Sequence, residues 1–216
     1  MIELHQYPST ASMIPHIVLE ELGVPYRRVL VDRAVDAHRQ PAYLRLNPNG
    51  LIPVLTDGDL VLYETAAIVL HLCDTHPEAA LAPPVGTAAR AHFYKWLMWH
   101  TNTLQATLII YFYPERWADE GHEAGAAEVK RHAQAKVGAQ VVQLEALLAD
   151  GRTWALGEAY SALDAYTFTL CRWTRNFPPG QRARDRRHLA GYLDRMLSRP
   201  AVQRMLENEG LAPPYV

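Results

Sequence analysis

Few of the residues that could do chemistry in this chain stand in a spacing that would let them. Ten histidines raise the question of a metal site. Yet His71, His76, His92 and His100 have no convergent ligand spacing, and neither HExxH nor CxxC occurs. No metal is therefore expected. Cys73 and Cys171 lie far apart in apolar runs and read as buried thiols of a cytosolic protein. The four arginines of GQRARDRRH, residues 180–188, read as a solvated loop, with an anion-binding patch as the alternative. No GxSxG, Walker or dinucleotide fingerprint is present. What remains is backbone chemistry in LNPNGLIPVL, Leu46 to Leu55. Pro53 stands at the head of an apolar run that reads as a strand, although proline has no N–H for a sheet ladder. A cis bond before Pro53 would turn the chain and present the N–H and C=O of Ile52 to a partner outside the sheet, such as an extended peptide. A plain turn proline is the other reading.

The elements that must position this stretch are legible from periodicity. Ile2 and Leu4 alternate with Glu3 and His5, a short strand. Ile14, Ile17, Val18 and Leu22 fall at helical spacing, with Pro15 in the first turn and Gly23 as the stop. The spacing predicts a helix from Ser12 or Met13 to Leu22. A second strand follows from Tyr26 to Val31. Asp57-Gly58 between two apolar runs predicts an antiparallel hairpin, Pro53–Thr56 with Asp59–Tyr63. A helix over about 65–75 ends before Pro77. The order is β-α-β, a short irregular segment, then β-β-α, which is the thioredoxin-like arrangement. In that arrangement a cis-proline commonly opens the third strand, which favours the cis reading of Ile52-Pro53.

Beyond residue 77 the composition changes. PEAALAPPVGT is rich in proline, alanine and glycine, as a linker is. Long helices are then expected from about Ala88 to Tyr113 and from about Ala124 to Ala149, the second with Val129, Ala133, Val137, Val141, Leu144 and Leu148 on one stripe. Shorter helices are expected near 161–175, 186–198 and 200–209. The expected fold is an α/β thioredoxin-like N-terminal domain over 1–77, a linker over 78–87 and an all-α C-terminal domain over 88–216. A net charge of −2 gives no support for a nucleic-acid partner. No run is long and apolar enough to be a transmembrane helix, and MIELHQYPST lacks the pattern of a signal peptide. A cytoplasmic protein is expected.

At full length the chain resembles the glutathione transferases. The resemblance rests on five stretches in order: YPSTAS, PHIVLEELGVPY, YLRLNPNGLIPVL, the Glu64-Thr65 pair opening ETAAIVLHLCDTHP, and LGEAYSALDAYTF. In the last, Ser161 and Asp164 form a capping box that serves folding. The bacterial beta class is the most similar. The resemblance implies glutathione as co-substrate, a homodimer pairing the small domain of one subunit with the helical domain of the other, and a set of site residues. Ile52 beside Pro53 would pair with the cysteinyl backbone. Glu64 would take the γ-glutamyl ammonium, and Thr65, at a helix N-terminus, its carboxylate. A hydroxyl between the first strand and first helix would donate to the thiolate. Ser9 is the first candidate and Ser12 the second, with Tyr7 and Thr10 remaining.

Departures from the family pattern matter to the chemistry. Ala11 stands where beta-class members have cysteine, which puts mixed-disulfide chemistry in doubt. Asn49 stands where relatives often have lysine, with His38 as a possible substitute near the glycyl carboxylate. Gln105 replaces a histidine of the fourth helix. The second substrate would be a small apolar electrophile, with Trp99, Thr103, Tyr111 and Tyr113 as candidate wall residues. Glutathione-dependent isomerase, dehalogenase and reductase activities share the same glutathione site and remain alternatives. So does a non-catalytic binding or regulatory role.

Overall fold

The computed structural model describes residues 1–216. They divide into two compact units, 1–84 with 197–213, and 85–196 with 214–216.

The first unit holds strands β1 (Ile2–Gln6), β2 (Tyr26–Leu30), β3 (Val54–Asp57) and β4 (Leu60–Tyr63) in the order β2-β1-β3-β4. β2 runs parallel to β1, and β3 and β4 run antiparallel to their neighbours. Neighbouring residues of a strand point to opposite faces. Val54 and Leu55 are both fully buried, so β3 is covered on both faces. One cover is helical: α1 (Met13–Leu22) packs against α3 (Thr65–Thr75). α1 buries its first seven residues and stops at Gly23, whose N–H makes the last helical hydrogen bond, to the Leu19 carbonyl at 3.1 Å, and whose φ of 65° turns the chain out of the helix. A separate cluster joins Val31, Tyr43 and Val54, packed by Ala37, Leu46, Ile52 and Tyr63. Tyr43 comes from α2 (Pro41–Leu44), which with two 3-10 turns fills the segment expected to be irregular. The hairpin lies one residue later at its start than Pro53, since proline cannot join the ladder. The peptide bond between Ile52 and Pro53 is cis.

The second unit is helical. α4 (Ala88–Trp99), a π-helical stretch (His100–Gln105) and α5 (Ala106–Phe112) form one helical run where a single regular helix was expected. α6 (Glu123–Leu148) packs on α5, and α7 (Ala162–Arg172), buried at every position, packs on α4. α8 (Arg187–Ser198) follows. The Ser161–Asp164 capping box is present: the buried Asp164 carboxylate accepts from the Ser161 N–H at 2.8 Å, the Ala155 N–H at 2.8 Å and the Tyr192 hydroxyl at 2.9 Å. Burial pushes the Asp164 carboxyl up to about 6 against these hydrogen bonds.

The expected division placed everything after residue 88 in the helical domain. In the structure the chain after Leu197 returns to the first unit, where α9 (Pro200–Asn208) packs on α1. Two ion pairs fasten it: Arg199 to Glu21 at 2.6 Å and Arg204 to Glu20 at 2.6 Å.

Candidate functional site

The strand register gathers the candidate residues of the first unit. His5, Val54 and Tyr63 stand in one row across β1, β3 and β4. The turn from Tyr7 to Ser12 leaves β1 just beyond this row. Ile52-Pro53 enters β3 just before it, and Glu64-Thr65 leaves β4 just after it. β2 finishes at the same end, where the Val31 N–H donates to the Gln6 carbonyl at 2.8 Å. Four segments distant in sequence thus converge at one end of the sheet.

The entry to β3 is held open from behind. The Leu51 carbonyl accepts from the Tyr43 hydroxyl and the Asn47 side-chain amide, both at 2.8 Å. Asn47 also accepts from the Asn49 N–H at 3.0 Å. Gly50 has a φ of 62°, and a Cβ there would sit 3.1 Å from the His38 carbonyl oxygen, so the loop is packed tightly on the segment after β2. With Leu51 anchored in this way, the N–H and C=O of Ile52 find no partner within the chain. The Asn-Pro-Asn-Gly sequence marks a turn, but the role of Asn47 and Tyr43 as its anchors is visible only in the structure.

Glu64 sits at the N-cap position of α3 with a φ of 72°, a conformation uncommon outside glycine. Its carboxylate and the Thr65 hydroxyl make no hydrogen bond within the chain. A carboxylate and a hydroxyl at a helix N-terminus, without internal partners, can serve an ammonium and a carboxylate of a bound molecule. Asn49 is exposed. The His38 imidazole lies 4.0 Å from an Asp36 carboxylate oxygen and is mostly buried.

The turn after β1 separates its four hydroxyls. Thr10 donates to the Tyr7 carbonyl at 2.7 Å. Ser12 is fully buried; its oxygen lies 3.0 Å from the Tyr7 carbonyl and 2.9 Å from the Thr10 oxygen, and it accepts the Tyr7 N–H at 3.3 Å. Ser12 occupies the N-cap position of α1, yet its side chain makes no cap hydrogen bond and closes the turn instead. Thr10 and Ser12 are therefore engaged in holding the turn. Tyr7 is half-buried, and its hydroxyl has no partner within the chain. Ser9 is half-buried with a φ of 65°. Its N–H donates at 2.9 Å to the carboxylate of Glu209, just past α9. The amides of Thr10 and Ala11, at the head of α1, find no acceptor within the chain.

The other Glu209 oxygen lies 2.9 Å from Nδ1 of His16, and both side chains are fully buried. Sequence reasoning missed this pair. Its members stand 193 residues apart, and no local pattern links them.

In the second unit the four aromatic and hydroxyl candidates are not gathered in one cluster. Trp99 stacks edge-on against Trp96 and His100, with centroids 5.4 and 5.3 Å apart. Thr103 lies in the π-helical stretch, and its carbonyl accepts from the Thr107 hydroxyl at 2.7 Å. The Tyr111 ring packs on Phe177 at 4.4 Å, with the Lys130 ammonium 5.1 Å from its centroid. Tyr113 carries the Arg116 guanidinium 4.2 Å over its ring. Gln105 accepts from the Tyr166 hydroxyl at 2.5 Å. His100 is fully buried and held neutral, its pKa pushed down to about 4 by desolvation. No helix is long and apolar enough to cross a membrane.

Comparison with known proteins places these features among relatives. Residues 8–75 match the glutathione S-transferase N-terminal domain, and residues 99–200 match the corresponding C-terminal domain. Glutathione S-transferase GST-4.5 of Xanthomonas campestris pv. campestris is 30% identical, covering 97% of this chain and 100% of its own. A solved sphingomonad glutathione S-transferase complexed with glutathione is 30% identical with a TM-score of 0.82, covering 97% of this chain and 100% of that one. The bacterial beta class glutathione S-transferase of Sphingomonas chungbukensis is 30% identical with a TM-score of 0.83, over the same shares.

Proposed function

Because the chain belongs to the glutathione S-transferase family, we propose that it binds glutathione at this end of the sheet and activates it as a thiolate. The observation that carries the reading is the pair of unpartnered backbone groups of Ile52, flanked in the strand register by Glu64 and Thr65. An extended peptide pairs with Ile52 through its cysteinyl N–H and C=O. Glu64 takes the γ-glutamyl ammonium. The Thr65 hydroxyl and the α3 N-terminus take the neighbouring carboxylate.

The thiol is the mechanistic core. A thiol with a pKa of about 8.5 is only a few per cent ionised at neutral pH. Lowering that value by two units requires about 2.7 kcal/mol of preference for the thiolate. A hydroxyl donating to an anion supplies about 1.5–3 kcal/mol. The N-terminus of α1, with the unpartnered Thr10 and Ala11 amides, adds up to about 1 kcal/mol. These terms suffice without a general base. Ser9 is the proposed donor; Tyr7 is the second reading, supported by its unpartnered phenol. The thiolate sulfur then forms a bond to an electrophilic carbon of a small apolar substrate. It either displaces a leaving group, which departs with its bonding electron pair, or adds to an activated double bond, whose far carbon takes the electron pair and then a proton from solvent.

The proposed setting is the cytoplasm, where glutathione is kept reduced. Glutathione affinity by calorimetry, followed by a panel of electrophiles with thiol consumption as readout, tests the whole. The parent chain should bind glutathione, and Glu64→Ala should weaken binding by about 1.5–3 kcal/mol, roughly ten- to a hundredfold. Equal affinity of variant and parent removes Glu64 from the ligand set. Binding without consumption of thiol by any electrophile favours the second reading, a binding module, for which Ala11 and Asn49 speak. Absence of glutathione binding overturns the proposal.

A further inference from the structure

We propose that Asn49 is a site of spontaneous deamidation in the loop that leads to Ile52, and that Asn47 sets its rate. The modification stands whether or not glutathione is the ligand. Its effect on affinity rests on the glutathione reading.

The fold demands one member of the reactive pair and leaves the other free. Of the five asparagines, only Asn49 is followed by glycine. Gly50 has a φ of 62°, and a Cβ there would sit 3.1 Å from the His38 carbonyl oxygen. A side chain at this position is both strained and crowded, so the loop requires glycine. Glycine is also the residue whose backbone nitrogen is least shielded when it attacks the side chain before it. Asn49 is exposed, and its carboxamide makes no hydrogen bond within the chain. No internal partner holds that carboxamide away from the Gly50 nitrogen.

The chemistry needs only water and base. The Gly50 nitrogen gives up its proton and attacks Cγ of Asn49. A bond forms between them, and the bond from Cγ to the side-chain nitrogen breaks. That nitrogen takes a proton from solvent and leaves as ammonia. Water then adds to either carbonyl of the cyclic succinimide. Breaking the new Cγ–N bond gives aspartate. Breaking the original peptide bond gives isoaspartate, whose main chain runs through Cβ and Cγ. Both products carry a new negative charge.

Asn47 opposes the first step. Its side-chain oxygen accepts the Asn49 N–H at 3.0 Å, and its main-chain carbonyl accepts the Gly50 N–H at 3.0 Å. The attacking nitrogen must leave the second bond, while the first holds the Asn49 backbone in the turn. The Asn47 side-chain amide also donates to the Leu51 carbonyl at 2.8 Å, so one buried residue restrains the whole turn. Isoaspartate lengthens the main chain just ahead of that Leu51 anchor. The backbone groups of Ile52 then shift relative to Glu64 and Thr65, and glutathione affinity falls.

The test is peptide mapping of the full chain after incubation in mildly alkaline buffer, with aspartate and isoaspartate at position 49 resolved by chromatography. Both should accumulate, faster as the pH is raised. The synthetic peptide LNPNGLIPVL should react several-fold faster than the chain. Asn47→Ala should move the chain's rate several-fold toward that of the peptide, with the far-ultraviolet spectrum unchanged. Asn49→Gln should abolish the reaction. An unmodified Asn49 in the parent, after the peptide has been fully consumed and the incubation prolonged tenfold or so beyond that, overturns the site. An Asn47→Ala rate equal to the parent's overturns the restraint. If Asn47→Ala does not fold, Asn47→Asp decides: it keeps an oxygen for the Asn49 N–H and should stay near the parent, and a rate at the peptide's level overturns the restraint. Calorimetry then reads the consequence. The aged parent should bind glutathione more weakly in proportion to its isoaspartate content, while aged Asn49→Gln keeps its affinity. Equal affinity of aged and fresh parent overturns the effect on binding. If the fresh chain does not bind glutathione at all, the functional reading falls and the mapping alone judges the site.

Discussion

At the scale of single residues, the turn after β1 turns on a division of labour among four hydroxyls. Thr10 and Ser12 point back at the Tyr7 carbonyl and close the turn. Their replacement should therefore disturb the turn rather than the thiol alone. Ser9 has the left-handed φ and the buried anchor. Removing its hydroxyl should cost the thiolate about 1.5–3 kcal/mol and so raise the thiol pKa by roughly one to two units. The sign is fixed by which form reacts. The thiolate exists above the pKa, so raising the pKa removes it from neutral solution. Ser9→Ala should accordingly lose activity several-fold to about a hundredfold near pH 6.5 and regain part of it at about pH 8.5. Glutathione affinity should change less, since Ile52, Glu64 and Thr65 still hold the peptide. Tyr7→Phe is the necessary companion: a pH-dependent loss in that variant, with none in Ser9→Ala, assigns the donor to Tyr7.

At the scale of elements, the helical run from 88 to 112 shows how a local irregularity is held in place. Its π-helical stretch begins at His100, whose Nδ1 donates to the Trp96 carbonyl at 2.7 Å and whose Nε2 meets the Thr167 hydroxyl of α7 at 2.9 Å. π-helical turns are rare and need such side-chain support. Burial pushes the pKa of His100 down to about 4, so the folded protein keeps it neutral while the unfolded chain protonates it near the ordinary value of about 6.5. The stability linked to this group is fully present above about pH 6.5 and is lost as pH falls through the folded value near 4, roughly 3 kcal/mol in all. His100→Gln keeps a donor for the Trp96 carbonyl and removes the titration. It should lower the urea midpoint at neutral pH, yet show a shallower decline between about pH 6.5 and 4.5 than the parent. A parallel decline in both proteins would place the acid sensitivity elsewhere.

At the scale of the whole molecule, legibility in the sequence followed the range of the interactions. The hairpin around Asp57-Gly58 and the helices stopped by Gly23 and Pro77 are governed by neighbours in sequence, and they stand within a residue or so of where periodicity puts them. The bond before Pro53 was readable because the β-α-β, β-β-α order around it is the thioredoxin-like one, in which a cis-proline commonly opens the third strand. The return of α9 to the first unit and the Glu209–His16 pair depend on contacts across nearly the full chain, and no period reveals them. Ser12 could be placed at the head of α1, but the direction of its side chain could not. β4 is an edge strand with Leu60 and Val61 38% and 42% exposed, and α4 carries Tyr94 and Met98, 39% and 41% exposed, four residues apart on one helix face. Edge strands and apolar helix stripes left to solvent invite a partner. A second copy of the chain is the occupant we propose, since closed two-fold pairs are the commonest assembly of soluble proteins. Light scattering at micromolar concentration should give twice the chain mass of 24.4 kDa. Met98→Glu places a charge on the α4 face and should shift the equilibrium toward the single chain without changing the far-ultraviolet spectrum. A parent mass of 24.4 kDa refutes the dimer. A dimer undisturbed by Met98→Glu moves the interface off α4 and leaves the β4 edge as the surface to probe next.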